Sequence, residues 1–210
     1  MTTAVLKTLC GAIPWCKPAV LEQTVELALE IAREGREGRR IGTLFTLGDA
    51  EAVLAASRPL ILDPLAGHAP GRTHISDPDL RGTIKELAQL DGAFVISDTG
   101  TVVAACRYLD ASVEHIDLPL GLGSRHLAAA SISHRLDAIA IVVSESGVVR
   151  VFHRGQLEAT LIPELWLLDR HHAQVGGRDG HEPSRNVELL TVEHGSHEPS
   201  EISRDRHTTA

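Results

Sequence analysis

Cysteine, aromatic side chains and net positive charge are all scarce in this 210-residue chain, and each scarcity excludes something. Three cysteines, an odd number, do not make the disulfide framework of a small secreted domain. Cys10, Cys16 and Cys106 show no CxxC spacing, and no Cys/His cluster has the spacing of a four-ligand zinc site. Aromatics are 3% of residues, so the core must be aliphatic. A formal net charge of -8 removes the broad basic footprint of a duplex-binding protein, so no nucleic-acid partner is expected. A local basic pocket for a small anion is still compatible with that charge. The longest apolar run, Ala138 to Val143, is far short of the roughly 20 residues that span a bilayer. The N-terminus lacks the charged and apolar regions of a signal peptide. A cytoplasmic protein with no membrane partner is the expectation.

What is present is ordinary for a globular protein: 43% hydrophobic and 23% charged residues, and a length that suits one domain. The chain divides into three parts. Residues 1–18 are a loosely apolar N-terminal extension. Residues 19–168 carry the periodic patterns of a folded domain. Residues 169–210 are polar and include His171, His172, His181, His194, His197 and His207. With few aliphatic residues, this tail cannot offset its chain entropy and is expected to be disordered, with Val187 to Val192 as its one candidate for order. Its irregular histidine spacing favours a solvated tail over a metal-binding tract.

Within the middle part, Val20, Val25, Leu27, Ala28, Leu29, Ile31 and Ala32 repeat at helical period from Ala19 to Arg33. Ile41 to Leu47 reads as a buried strand, Asp49 as the cap of a short helix, and Arg58 to Ser76 as a loop. Asp77-Pro78 opens a further helix. AFVIS and TVVAAC flank Asp98-Thr99-Gly100 as a hairpin. A long loop from Arg107 to Pro119 leads into a helix beginning near Ser124. IAIVVS, VVRVFH and QLEATLI then read as three strands. Helices and strands are mixed rather than alternating, which predicts an α/β fold with a mixed central sheet surrounded by helices.

Three short segments can carry chemistry. Asp91-Gly92-Ala93 lies between a helix and a strand. Asp91 could bind a divalent metal or a ribose hydroxyl, and the small residues could admit a ligand to the backbone; the plain alternative is a helix-to-strand turn. Gly121-Leu122-Gly123-Ser124-Arg125-His126 feeds a glycine-rich loop into a helix N-terminus, whose free N–H groups favour an anion. Arg125 adds a fork for phosphate oxygens, Ser124 a hydroxyl, and His126 a donor to phosphate or a group for proton transfer. An ordinary capped helix start is the alternative. The segment matches neither the phosphate-binding GxxxxGK[ST] loop nor the GxGxxG dinucleotide fingerprint. Ser144-Glu145-Ser146-Gly147 ends a strand with a carboxylate between hydroxyls, suited to a metal or a nucleotide amine, or simply to a solvated turn. Cys106 reads as a small buried hydrophobe.

Taken together, DGA before a strand, Ser-Arg-His opening a helix, and VVSE ending the next strand resemble the diadenylate cyclase (DAC) domain family, in a divergent, archaeal-type branch. The likeness extends to RRIGTLFTLGD, DGAFVISDTGTVVAACRYLDAS and the stretch from Ser124 to Leu157, and covers about residues 20 to 165. It implies a DAC-type α/β domain that condenses two ATP into cyclic di-AMP with release of two pyrophosphates, using Mg2+ or Mn2+. Two such domains are implied to meet face to face as a homo-oligomer whose active site is completed between subunits. By resemblance, Asp91, Arg125 and His126 are the catalytic group. Gly92, Ala93, Gly123, Ser124, Ser144 and Glu145 bind nucleotide, and Asp91 and Glu145 hold the metal. Two positions depart from the family pattern: Leu127 stands where the motif has a second arginine, and Ser146 where it has a second carboxylate. A module that binds or senses ATP or cyclic di-AMP without making it is therefore the competing expectation. A metal-dependent phosphohydrolase or a nucleotidyltransferase for another substrate is a third.

Overall fold

The structure, a computed structural model, describes residues 4–110, 116 and 118–168. The tail 169–210, with its expected disorder and its histidines, lies outside the described residues, as does part of the loop expected over 107–119. Helix α1 (Ala4–Gly11) and the longer α2 (Pro18–Glu34) precede strand β1 (Thr43–Gly48). Helix α3 (Ala50–Ala55), strand β2 (Ser57–Pro59) and helix α4 (Pro78–Leu87) lead to the hairpin β3 (Ala93–Ser97) and β4 (Val102–Leu109). Helix α5 (Ser124–Arg135) is followed by β5 (Ala138–Val143), β6 (Val149–His153) and β7 (Gln156–Leu161).

All seven strands form one sheet in the order β2-β4-β3-β1-β5-β6-β7. Only β1 and β3 are parallel; the other pairings are antiparallel. The parallel pair needs a crossover, and the segment holding α3, β2 and α4 supplies it. This is the mixed sheet with surrounding helices that the pattern predicted.

Local chemistry sets the helix boundaries. Pro18 starts α2, where its missing N–H costs nothing, and Gly35 ends it at φ 57°. Asp49 accepts from the Ala52 N–H at 3.0 Å and caps α3, while Asp77 caps α4 ahead of Pro78. The strands alternate between two cores, as a two-sided buried sheet requires. Phe45, Leu47, Ile139, Ile141, Val143, Val149 and Val151 face α1, α2 and α4. Leu44, Ala93, Val95, Ala138, Ala140 and Val142 face α3 and α5, where Ala129, Ala130 and Ile132 meet them.

Several details differ from the expected pattern. Residues 4–11, grouped with the N-terminal extension, form a helix whose Leu6 and Leu9 enter the α2-side core. A single disulfide joins Cys10 to Cys16, with Cα atoms 5.2 Å apart, while Cys106 stays reduced and buried as expected. Burial, and then the charge of Asp63, push the Cys106 thiol pKa up, so it is no nucleophile. Strand β4 continues to Leu109, so the loop expected from Arg107 starts later. Residues 57–59, expected within a loop, pair with β4 as an edge strand.

Candidate active site

The site lies on the α5 side of the sheet, where small side chains leave room. A cavity of about 500 Å³ opens there, lined by residues of β1, the Asp91 turn, β4 and the first turns of α5. Leu44, Leu60 and Leu109 contribute apolar lining, and Asp91, Arg107, Ser124 and Arg125 polar lining.

Arg125 organises the polar groups. Its Nη2 donates to Asp91 Oδ1 at 3.2 Å and its Nη1 to Glu145 Oε1 at 3.0 Å. One guanidinium thus gathers the acidic residues of two distant segments. Both carboxylates face solvent, Asp91 with 87% of its side chain exposed, so these ion pairs add little stability and keep both acids accessible. Helix α5 begins at the cap residue Gly123, which has no side chain to satisfy the first N–H groups. Ser124 is the first helical residue, not the cap, and its side chain makes no capping bond. The uncapped helix start, Ser124 and Arg125 therefore converge on the cavity, as an anion site needs.

Gly92 is explained by packing. Its φ is 109°, and a Cβ there would lie 2.6 Å from the Cys106 carbonyl carbon and 2.8 Å from the Arg107 nitrogen. Strand β4 bulges at this point, with Cys106 at φ 53° and a register shift against β3. The missing side chain lets β4 cross beside the Asp91 turn; the space a Cβ would fill is occupied by protein backbone. Ala93 is buried in the α5-side core and lines the cavity.

Glu145 sits on the turn between β5 and β6. Ser144 braces that turn: its hydroxyl accepts from the Ser146 N–H at 3.3 Å and from the Ser146 hydroxyl at 2.9 Å. Gly147 closes the turn at φ 81°. Arg40 lies over Gly147 and donates to the Ser146 carbonyl at 3.4 Å. Glu145, Ser144 and Gly123 do not line the cavity; Glu145 is joined to it through Arg125.

His126 is the expected site residue that faces elsewhere. Its spacing with Ala129, Ala130 and Ser133 puts it on the buried face of α5. There Nε2 is 3.2 Å from Arg150 Nη1, and the ring meets Phe152 edge-on with centroids 6.2 Å apart. Burial, then the charges of Arg150 and Arg125, push its pKa down from 6.5 to about 4. His126 is neutral at physiological pH and does not line the cavity.

Sequence reasoning did not single out Gly42, Arg40, Arg107 or Arg150. A Cβ on Gly42 would lie 2.8 Å from Arg125 Nη1 and 3.1 Å from Glu145 Cγ, so this glycine makes room for the ion pair. Arg107 donates to the Leu54 carbonyl at 3.1 Å, the Ser57 carbonyl at 2.7 Å and the Ser57 hydroxyl at 3.1 Å, and fastens β2 beside the cavity. Only the glycine beside the strand onset and the arginine in a β-strand were visible signals, and both are common without function.

Among the described residues no group of three or more His, Cys, Asp or Glu side chains stands ready to hold a metal. A magnesium-type ion does not need one, since it is commonly held by one or two carboxylates together with substrate phosphates. Asp91 and Glu145 are exposed, and Arg125 engages one named oxygen of each, so this pair suits that mode.

A mixed α/β sheet here brings an uncapped helix start and two acidic turns together near one cavity. The chain belongs to the DAC family, described as the DisA bacterial checkpoint controller nucleotide-binding domain, which matches residues 30–157. It is 51% identical over 138 residues to a diadenylate cyclase of Methanocaldococcus jannaschii, covering 65% of this chain and 43% of that protein. It is 42% identical over 150 residues to a diadenylate cyclase of Haloferax volcanii, covering 71% of this chain and 55% of that one. The chain thus spans about half the length of the curated relatives it matches. Among solved structures, a double mutant of DacA from Staphylococcus aureus is similar with a TM-score of 0.47 and 22% identity, over 74% of this chain and 94% of that one.

Proposed function

We propose that this chain is a diadenylate cyclase that condenses two ATP into cyclic di-AMP and releases two diphosphates. The observation that carries the reading is the Arg125 guanidinium held between Asp91 and Glu145 at the start of an uncapped helix, beside a cavity of about 500 Å³. Family membership and the names of both relatives support it.

Each 3′-hydroxyl attacks an α-phosphorus, a new P–O bond forms, and the bond to the diphosphate leaving group breaks. Such a reaction asks the protein for in-line placement and charge neutralisation more than for covalent chemistry. Asp91 orients the attacking hydroxyl and is placed to accept its proton. The helix N–H groups, Ser124 and Arg125 hold phosphate oxygens. Asp91, Glu145 and Arg125 together carry one net negative charge, which by itself repels a triphosphate. Asp91 and Glu145 would hold Mg2+ or Mn2+, which would supply the missing positive charge and polarise the phosphate oxygens.

The exposure of Asp91 supports a second part of the reading. Phosphoryl chemistry is favoured where water is excluded, and this carboxylate is open to solvent in the single chain. A second copy placed face to face would cover it and bring in the other ATP, so the site is proposed to be completed in a homo-oligomer. ATP as substrate supports a cytoplasmic location as part of this reading. Among the described residues no helix is long and apolar enough to cross a membrane.

Leu127 favours a second reading, in which the chain binds ATP or cyclic di-AMP without turnover. This apolar residue lines the cavity where the family motif carries a cation. Incubation of the purified chain with ATP and Mn2+ or Mg2+ separates the two. The cyclase reading expects cyclic di-AMP from the wild type and a loss of about a thousandfold or more in Asp91→Asn with the thermal melt preserved. Nucleotide bound without product would establish the silent module instead.

A further inference from the structure

Arg150 and Phe152 stand two residues apart on the side of β6 that faces α5 and flank the His126 ring. A guanidinium has donors only, so His126 Nε2 accepts from Arg150 and the ring proton sits on Nδ1. That Nδ1–H is buried and has no partner among the described residues. Leaving that donor unpaired costs free energy, and the one polar contact the ring makes among the described residues is Nε2 accepting from Arg150 beneath the helix. The same turn of α5 presents Arg125 on its other side, and nothing else described caps that turn. The Arg150–His126 bond is thus a side-chain tether between β6 and the first turn of α5.

We propose that Arg150, acting through the His126 ring, is the positioning residue for Arg125. The pair fixes the first turn of α5 so that the guanidinium points at Asp91 and Glu145. His126 moves no proton to or from substrate, because Arg150 occupies one ring nitrogen and the other faces the protein interior. The inference rests on the nucleotide reading above, since Arg125 matters there as the phosphate fork.

The full-length chain tests it with three measurements: calorimetric binding of a non-hydrolysable ATP analogue with Mg2+, steady-state cyclic di-AMP synthesis, and NMR of the Arg125 guanidinium in the free protein. Arg150→Met is expected to weaken analogue binding about tenfold and to release restricted rotation of the Arg125 guanidinium. Arg150→Lys keeps the charge and should recover part of both. His126→Gln retains an acceptor near the Nε2 position; it should lose only about three- to tenfold in kcat/KM, with an unaltered pH profile between roughly pH 6 and 9. His126→Leu should match Arg150→Met, and the double variant should be no worse than either, as for two members of one interaction. Thermal melts confirm that each variant is folded, and the lysine and glutamine variants retain the test if the apolar ones unfold. A loss of about a hundredfold in His126→Gln with a displaced pH profile would mean proton transfer and overturn the proposal. Arg125 signals and analogue affinity unchanged in Arg150→Met would overturn it equally. A wild type that binds no nucleotide sinks the nucleotide reading alone, because the Arg125 signals in the free protein still decide whether Arg150 positions it.

Discussion

The two faces of the sheet are built for different ends. Towards α1, α2 and α4, the central strands present Phe45, Leu47, Ile139, Ile141 and Val143, a bulky layer against seventeen-residue α2. Towards α5, the same strands present Leu44, Ala138, Ala140 and Val142, and α5 answers with Ala129 and Ala130. The bulky face buries most of the large aliphatic area that stabilises the fold. Small side chains on the other face let α5 lie close to the sheet, so that its first turn reaches the acidic turns at the strand ends. Stability and site therefore divide between opposite faces of strands that are continuous in sequence.

Ile141→Ala should separate the two faces most strongly. Ile141 is fully buried on the α2 side. Its truncation leaves a cavity and should cost about 4 kcal/mol. Analogue binding by the remaining folded protein should stay near the wild-type level, measured by calorimetry well below the lowered melting temperature. A comparable loss of affinity would show that the faces are not independent.

The next largest effect lies on the site face and depends on pH. Folding lowers the His126 pKa from 6.5 to about 4, so the folded state disfavours protonation. Its stabilising contribution is full above pH 6.5 and is lost progressively as pH falls towards 4, below which the folded protein also takes up the proton. The shift corresponds to at most about 3 kcal/mol. Urea melts of wild type and His126→Gln between those pH values should converge on acidification, because the glutamine cannot titrate. His153, whose pKa burial also lowers, remains in both proteins and cancels in the difference. Parallel curves would mean that folding does not lower the His126 pKa.

Ala140→Leu sharpens the contrast from the other side. Ala140 is fully buried between β5 and α5. Added methyl groups there should cost about 2 kcal/mol through overpacking. Unlike Ile141→Ala, this change should also impair analogue binding, by moving α5 and with it Arg125. Loss of stability with full affinity would show that the start of α5 is held independently of its middle.

Much of this division was legible in the sequence. The apolar period of α2, the hairpin about Asp98-Thr99-Gly100 and the three strands after α5 are all written in local patterns, and the family motifs name Asp91, Arg125 and Glu145 directly. The alternation of Ala138, Ala140 and Val142 with Ile139, Ile141 and Val143 even carries the asymmetry of the faces. What stayed hidden depends on partners distant in the chain. Strand β2 is three residues long and exists because β4 lies beside it. The need for Gly92 comes from the bulged backbone at Cys106, and the need for Gly42 from an ion pair formed by two later segments. His126 resembled a catalytic residue because the motif places it next to Arg125. Helical geometry turns neighbours in sequence to different faces, and Arg150, whose guanidinium the ring accepts from, stands 24 residues further on.

The smallest expected effect returns to the bulky face, at its solvent edge. Glu30 on α2 receives Arg81 Nη2 and Lys85 Nζ from α4, both at 2.9 Å. Burial raises the Glu30 pKa, but the hydrogen bond from Lys85 and the charges of Arg81 and Lys85 outweigh it and hold the carboxyl below its usual value. The contribution of a lowered carboxylate is present above the unfolded pKa and disappears as pH falls through the folded one. Glu30→Gln should therefore cost only about 0.5–1 kcal/mol at neutral pH, as for a partly exposed pair, and nothing once the wild-type carboxyl is protonated. Added salt should shrink the difference further, because the surrounding water screens these charges. Arg125, by contrast, makes pairs of similar length with Asp91 and Glu145, yet under the proposed cyclase reading its value lies in geometry that a phosphate can use. The Glu30 variant should leave analogue affinity unchanged while lowering stability slightly; a change in affinity would show that the charges between α2 and α4 reach through the sheet to the site.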